Sequence, residues 1–348
     1  MRRVVATIAL MLVAAFVRID RVTVMPLAAP ASARLFASEL RRDRAETADG
    51  SEGGQDRVAG VIAATRKALG GEDKVAGLKS LTAEGTFRRS MGGRDMEGSI
   101  ALTIARPDKY KRVEEMQMGG MVGGPSIERT QVLAGTTAWD DTQNRGGMGG
   151  GMQMVIRTGP GPGAPGGAAP TPEQQNEIRV RRMRVELQRL MAALIADGTA
   201  WVDAGIAESP DGKADILETK EDTGRALRLF IDQRTHLPLM VQYQDPKPRI
   251  MIAGGPGGPG GPGRGPGGPG GAAAPPSPEE MQKRMAEMQQ TPPPLGTYAM
   301  HLSDFKKVDG LMLPHKIGID LDGEPNEEWT IEKFKANPQI KPDTWEKK

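Results

Sequence analysis

The chain has 348 residues, 38% of them hydrophobic and 26% charged, which is enough for one large domain or two ordinary ones with a real core. Its 46 glycines and 28 prolines are concentrated in two tracts, so much of the length reads as linker. There is no cysteine, which excludes disulfides, thiolate metal sites and a lipid-bearing N-terminal cysteine, and aromatic residues at 4% are too few for base-stacking platforms, so no nucleic acid partner is expected.

Arg2 and Arg3, the apolar run from Val4 to Val17 and small residues ending at Ala33 have the layout of a signal peptide over residues 1–33. The apolar run is shorter than the roughly 20 residues a spanning helix needs. A long spacer, RIDRVTVMP, separates it from Ala31-Ser32-Ala33, and an uncleaved N-terminal anchor is the alternative. Loss of residues 1–33 would take the formal charge from +2 to about −1.

Residues 34–57 are polar and small and are expected to form a flexible lead-in. A short amphipathic helix follows, with Val58, Ile62 and Leu69 on one face and Gly70-Gly71 as its stop. From Leu78 the hydrophobic period becomes two. Leu81, Ala83, Gly85 and Phe87 alternate with polar residues, and Ile100, Leu102 and Ile104 do so after a GGRD turn. DKYKRVEEM, SIERTQVLAG and TTAWDDTQ extend this into an antiparallel meander.

Residues 146–170 are a Gly/Pro-rich insertion that can pack as neither helix nor sheet and is expected to be disordered. Gly161, Gly163 and Gly166 match a dinucleotide fingerprint by letter, but no strand precedes them and the prolines remove amides a phosphate would need. Thr171 then reads as an N-cap, with Pro172 in the first helical position and Gln174 placed for a capping box. The helix carries an apolar stripe of Val180, Met183, Leu187, Leu190, Met191 and Leu194, with Gly198 to end it. Its arginines, Arg179, Arg182 and Arg189 among them, read as a solvated face.

Strands resume with WVDAGIAE, KADILET, ALRLFID and LPLMVQYQ, and Ile216 is placed on the same side as Leu227, Leu229 and Val241. The second insertion, residues 254–276, has collagen-like triplets that break at Arg264. It runs into SPEE, another helix start, before MQKRMAEMQQ. The chain closes with three strands turned at Asp309-Gly310 and Asp322-Gly323. The predicted fold is mainly antiparallel β, about ten strands, with a few helices lying across one side of a curved sheet.

No catalytic constellation and no cofactor site emerges, and the chain is read as a non-enzyme. His236, His301 and His315 are far apart without metal-ligand spacing, Ser303 and Lys306 fall on opposite faces of a strand, and DLDGE near Asp320 suits a hairpin turn better than a calcium loop. Methionines cluster as Met116, Met118 and Met121 and as Met148, Met152 and Met154. Thioethers suit Cu(I), which makes chelation a weaker alternative to plain apolar contacts.

Two stretches, DGKADILETKEDTGRALRLFIDQRTHLPLMVQYQD and YAMHLSDFKKVDGLMLPHKIGIDLDGEPNEEWTIEKFKAN, taken with LGGEDKVAGLKSLTAEGTF, resemble exported proteins of the outer-membrane lipoprotein-sorting type, the LolA-like superfamily. The resemblance spans most of residues 58–348 outside the two insertions. It implies a single half-barrel domain, a curved antiparallel sheet wrapped around helices, located in the periplasm of a Gram-negative-type cell and either soluble or N-terminally anchored. It further implies a concave apolar cavity holding the acyl chain of a lipid or lipoprotein, and the expected lining is Ile100, Leu102, Ile104, Ile216, Leu227, Leu229, Val241, Ile317 and Ile319. The alternative is that the protein's own helices fill the cavity and the chain is an envelope interaction or sensory module with a protein partner.

Overall fold

A computed structural model describes residues 51–91, 94–117, 126–145, 171–196, 198–210, 212–248 and 293–347. The predicted signal segment, both Gly/Pro insertions and Met118, Met121, Met148, Met152 and Met154 lie outside these residues.

Among the described residues, three α-helices, α1 (Ser51–Ala68), α2 (Glu72–Ala76) and α3 (Pro172–Ala192), accompany twelve strands. The strands are β1 (Ser80–Met91), β2 (Arg94–Ala105), β3 (Lys109–Gln117), β4 (Ser126–Ala134), β5 (Thr137–Arg145), β6 (Val202–Ser209), β7 (Gly212–Lys220), β8 (Ala226–Asp232), β9 (Pro238–Pro246), β10 (Leu295–Val308), β11 (Leu311–Leu321) and β12 (Glu324–Ala336). They form one open sheet in the order β5-β4-β3-β2-β1-β12-β11-β10-β9-β8-β7-β6, and every pairing is antiparallel. The topology is two meanders. The first runs out from β1 to the edge strand β5, the chain crosses to the opposite edge through α3, and the second meander returns from β6 until β12 pairs with β1.

That crossing fixes the curvature. Arg112 on β3 and Asp245 on β9 are six strand positions apart, about 29 Å across a flat sheet. Both nevertheless contact α3 within one turn of helix. Arg112 Nη1 donates to Glu186 at 2.7 Å, and Arg189 Nη1 donates to Asp245 at 2.9 Å. The sheet therefore curls around the helix into a half-barrel.

Alternation along each strand separates the two faces. Leu217, Leu227, Leu229, Ile231, Val241 and Met300 point inward and join one core with Leu187, Met191 and Leu194 of α3 and Leu69 at the end of α1. Ile216, Phe230, Met240 and Ala299, their immediate neighbours, point outward into a second buried cluster whose described members are strand residues. The expected placement of Ile216 is thus corrected. Its register partner is Phe230, not a residue of the Leu227–Leu229 face, and Leu217 takes the inward position.

The helix boundaries differ in instructive ways from those read in the sequence. α1 begins at Ser51, inside the expected lead-in, where Arg57 bonds Asp203 and Asp215 at 2.5 and 2.8 Å. Ion pairs to β6 and β7 accompany a helix start that hydrophobic periodicity does not mark. The α3 N-terminus matches its sequence signature in full, with Thr171 as N-cap in a capping box with Gln174 and Pro172 in the first turn. Its end does not. The helix stops at Ala192, ahead of the Gly198 expected to end it, and Ile195 takes a left-handed conformation (φ 46°). A β-branched residue there is costly, and complete burial of Ile195 offsets the strain. The two late hairpin turns form as read, with Asp309-Gly310 and Asp322-Gly323 all at positive φ.

Candidate apolar ligand site

Inward-pointing residues of β1, β2, β10, β11 and β12 face the last turn of α3 across a cavity of about 40 Å³. The strand walls include Leu81 and Ala83, Leu102 and Ile104, Met300 and Leu302, Leu313 and Ile317, and Ile331 and Phe334. Leu190, Met191, Ala193 and Leu194 close the remaining side. Every described lining residue is apolar. No side chain of the described wall offers a hydrogen bond, so it suits a ligand recognised by shape and hydrophobic burial.

Of the residues expected to line a cavity, Leu102, Ile104 and Ile317 do so. Ile100, Leu227, Leu229, Val241 and Ile319 are buried in the same core but do not border this cavity, and Ile216 is on the opposite face. The α3 contribution was missed because its stripe reads as ordinary helix packing. Only the sheet's curvature brings Leu190 and Leu194 opposite β1, β2 and β11. Met116, one of the candidate Cu(I) ligands, is 2% exposed within the apolar core, where its thioether packs against hydrocarbon. Among the described residues no group of three or more His, Asp or Glu side chains is placed to hold a metal ion.

Beyond the cavity the inner wall is charged. Period-two alternation turns Tyr110, Arg112, Glu114 and Met116 of β3 inward together. Arg112 is ion-paired with Glu114, with Glu327 of β12 at 3.1 Å and with Glu186 of α3, and its guanidinium lies 4.8 Å from the Trp329 ring centre. Arg89 donates two bonds to Glu327, at 2.8 and 2.9 Å, and one to Glu114 at 2.8 Å. Tyr110 donates to Glu186 at 2.8 Å. Burial opposes ionisation of Glu114, but the Arg112 and Arg89 charges outweigh it and hold that carboxyl down to about 2. Glu186 is lowered in the same way, burial being overcome chiefly by Arg112, while burial raises the Tyr110 phenol well above its usual range. On the far wall Arg189 bonds Glu221 at 2.6 and 3.3 Å and stacks 3.7 Å above Tyr243, which itself stacks on Tyr298 at 5.4 Å.

The histidines have structural surroundings. His315 Nδ1 donates to the Ile331 carbonyl at 2.7 Å and its ring meets Phe334 edge-on at 5.2 Å. Ile331 sits where β12 bulges against β1, opposite Gly85. A Cβ on Gly85 would lie 2.1 Å from the Thr330 carbonyl, so only glycine fits there, and His315 ties the carbonyl on the other side of the same irregularity. His301 Nε2 is 3.2 Å from Asp320 Oδ2, both buried on the outer face.

No protein-family model and no curated protein sequence matches the chain. Among solved structures it is similar to a DUF1329 family protein from Desulfovibrio piger at 10% identity and a TM-score of 0.39, covering 83% of this chain and 97% of that one. It is similar also to an outer membrane lipoprotein-sorting protein domain from Vibrio parahaemolyticus, at 9% identity and a TM-score of 0.40, covering 85% and 97%. A LolA superfamily protein from Nitrosomonas europaea matches at 9% and 0.39, covering 83% and 97%. The chain is thus similar, with little sequence in common, to proteins bearing the LolA and lipoprotein-sorting names that its turn and strand patterns resemble.

Proposed function

We propose that the chain is an exported, non-enzymatic binding protein that takes the acyl chain of a lipid or lipoprotein between the end of α3 and the inner strands. The observation that carries this reading is the cavity wall, which is apolar at every described position and closed on one side by a single helical turn. Its present volume of about 40 Å³ is well below the roughly 150 Å³ that an engineered cavity needs to take one benzene. Binding therefore requires the Leu190–Leu194 segment to move away from the sheet, with burial of about 0.8 kcal/mol per methylene driving the exchange.

The test is to purify the full chain under native conditions, analyse it for co-purified lipid by mass spectrometry, and titrate it with a fluorescent fatty acid. Leu190→Lys places a charge at the half-buried margin of the cavity and should weaken probe binding at least tenfold, about 1.4 kcal/mol, with the fold retained. No bound lipid together with no saturable probe binding would reject the carrier role and favour an envelope module whose cavity stays closed.

A further inference from the structure

A second apolar cavity, of about 10 Å³, adjoins the first, and Leu194 and Leu313 line both. Its other walls are Leu69 at the end of α1, Val75 of α2, Leu78, and Leu311 and Met312 at the start of β11. Hydrogen bonds gather these segments at one end of the half-barrel. The Met312 N–H donates to the Leu69 carbonyl at 2.8 Å, Arg106 Nη1 to the Leu78 carbonyl at 2.9 Å, and Arg66 Nε to the Ile195 carbonyl at 3.2 Å.

Cations interleave with this lining. Lys74 precedes Val75 and Lys79 follows Leu78, and both lysines are exposed while their neighbours are buried. The Lys74 ammonium rests against the β10–β11 turn, where a Cβ on Gly310 would meet it at 2.0 Å. Together with Arg66, Lys67, Arg106 and Lys307, they outnumber Glu72, Asp73, Asp108 and Asp309, the carboxylates of the same segments. Deeper on the inner wall the balance is different, because Arg89 and Arg112 are already matched by Glu114, Glu186 and Glu327. Among the described residues the excess positive charge therefore stands at the α2 end, at the edge of an apolar wall that leads inward past Leu194. An apolar tail and a negative head find complementary surroundings there, in that order.

We propose that the ligand is a single-chain anionic amphiphile whose carboxylate or phosphate head is held by Lys74 and Lys79 while its tail runs through the second cavity into the first. This rests on the acyl-binding reading above and adds to it a headgroup class and a direction of entry.

The test titrates the full chain calorimetrically with three lipids that share a palmitoyl chain, at monomeric concentrations. Palmitate carries a carboxylate, lysophosphatidylglycerol an anionic phosphate, and lysophosphatidylcholine a zwitterionic head. At least one anionic lipid should bind about fivefold more tightly than lysophosphatidylcholine, the order expected of one exposed ion pair. That preference should shrink between about 0.1 M and about 1 M salt, as the Debye length falls from about 10 Å to about 3 Å. Lys74→Gln combined with Lys79→Gln should remove most of it and leave lysophosphatidylcholine binding and the melting temperature unchanged, whereas Leu190→Lys should weaken all three lipids alike. Palmitate carrying a diazirine beside its carboxylate should label residues 70–79 in preference to β3. Equal affinity for charged and zwitterionic heads, a preference that survives in the double lysine variant, or labelling centred on β3 overturns the proposal and leaves acyl binding standing. No saturable binding of any of the three rejects the acyl reading itself and this proposal with it.

Discussion

Glu114 stays ionised inside the half-barrel because Arg89 and Arg112 bracket it, and that makes its charge a source of pH-dependent stability. A carboxyl held down to about 2 in the folded chain has an ordinary value near 4.5 when unfolded. The stabilisation is therefore complete above about pH 4.5 and is lost as pH falls toward 2, an effect of about 3 kcal/mol. Glu186, lowered by the same guanidinium, adds to it with the same sign. Urea unfolding followed from pH 6 to pH 2.5 should show a steep loss of stability for the natural chain. Glu114→Gln should flatten that slope and lower stability at neutral pH, because it leaves Arg112 and Arg89 short of a counter-charge. His315 shows how residue-scale reading is limited. Its strand and the preceding turn are plain in the sequence, but its partner is a carbonyl exposed by a bulge sixteen residues on, and bulges leave no periodic signal.

At the scale of elements, α3 is the hinge between sequence and site. Its start could be read from Thr171, Pro172 and Gln174 because capping is local chemistry. Its ionic anchors could not, since Arg112, Glu221 and Asp245 are brought to Glu186 and Arg189 only by the curl of the sheet. The same distinction explains Ile216. Alternation gives two faces per strand, but which is inward depends on the register of the β7–β8 hairpin. The inner wall of β3 is the largest omission: Tyr-Arg-Glu-Met at alternate positions looks like a solvent face until its partners on β1, β12 and α3 are in place. Because Glu186 and Arg189 pin one helix to opposite walls, breaking either anchor should loosen the turn that closes the cavity. Arg189→Met leaves Glu221 buried without its guanidinium partner and is expected to cost about 3–5 kcal/mol. Hydrogen exchange should then accelerate in residues 190–196 more than in β1 or β12. Equal acceleration throughout would mean the anchor acts on global stability alone.

For the whole molecule, the open sheet is what would let the cavity expand, as the proposed function requires, without loss of a stable core. Each strand would keep its ladder partners if the helix shifted, because α3 shares side-chain contacts with the sheet and its backbone bonds are internal. On the proposed function, opening would sacrifice apolar contact along one helical turn and leave the twelve-stranded frame intact, and an acyl chain would replace that contact methylene by methylene. The consequence is a chain-length dependence. If α3 yields, affinity for saturated fatty acids should rise about fourfold per added methylene, following about 0.8 kcal/mol each, well past the few carbons that the closed cavity admits. If α3 is fixed, the rise should stop at very short chains. Thermal unfolding reads the same quantity, because a ligand present at about 100 times its dissociation constant adds about 2.7 kcal/mol, which should raise the melting temperature by about 5–10 °C for a domain of this size. Leu190→Lys should remove that shift at every chain length, whereas Leu102→Ala, which enlarges the wall without charging it, should lower the unliganded melting temperature and move the affinity maximum to longer or bulkier chains.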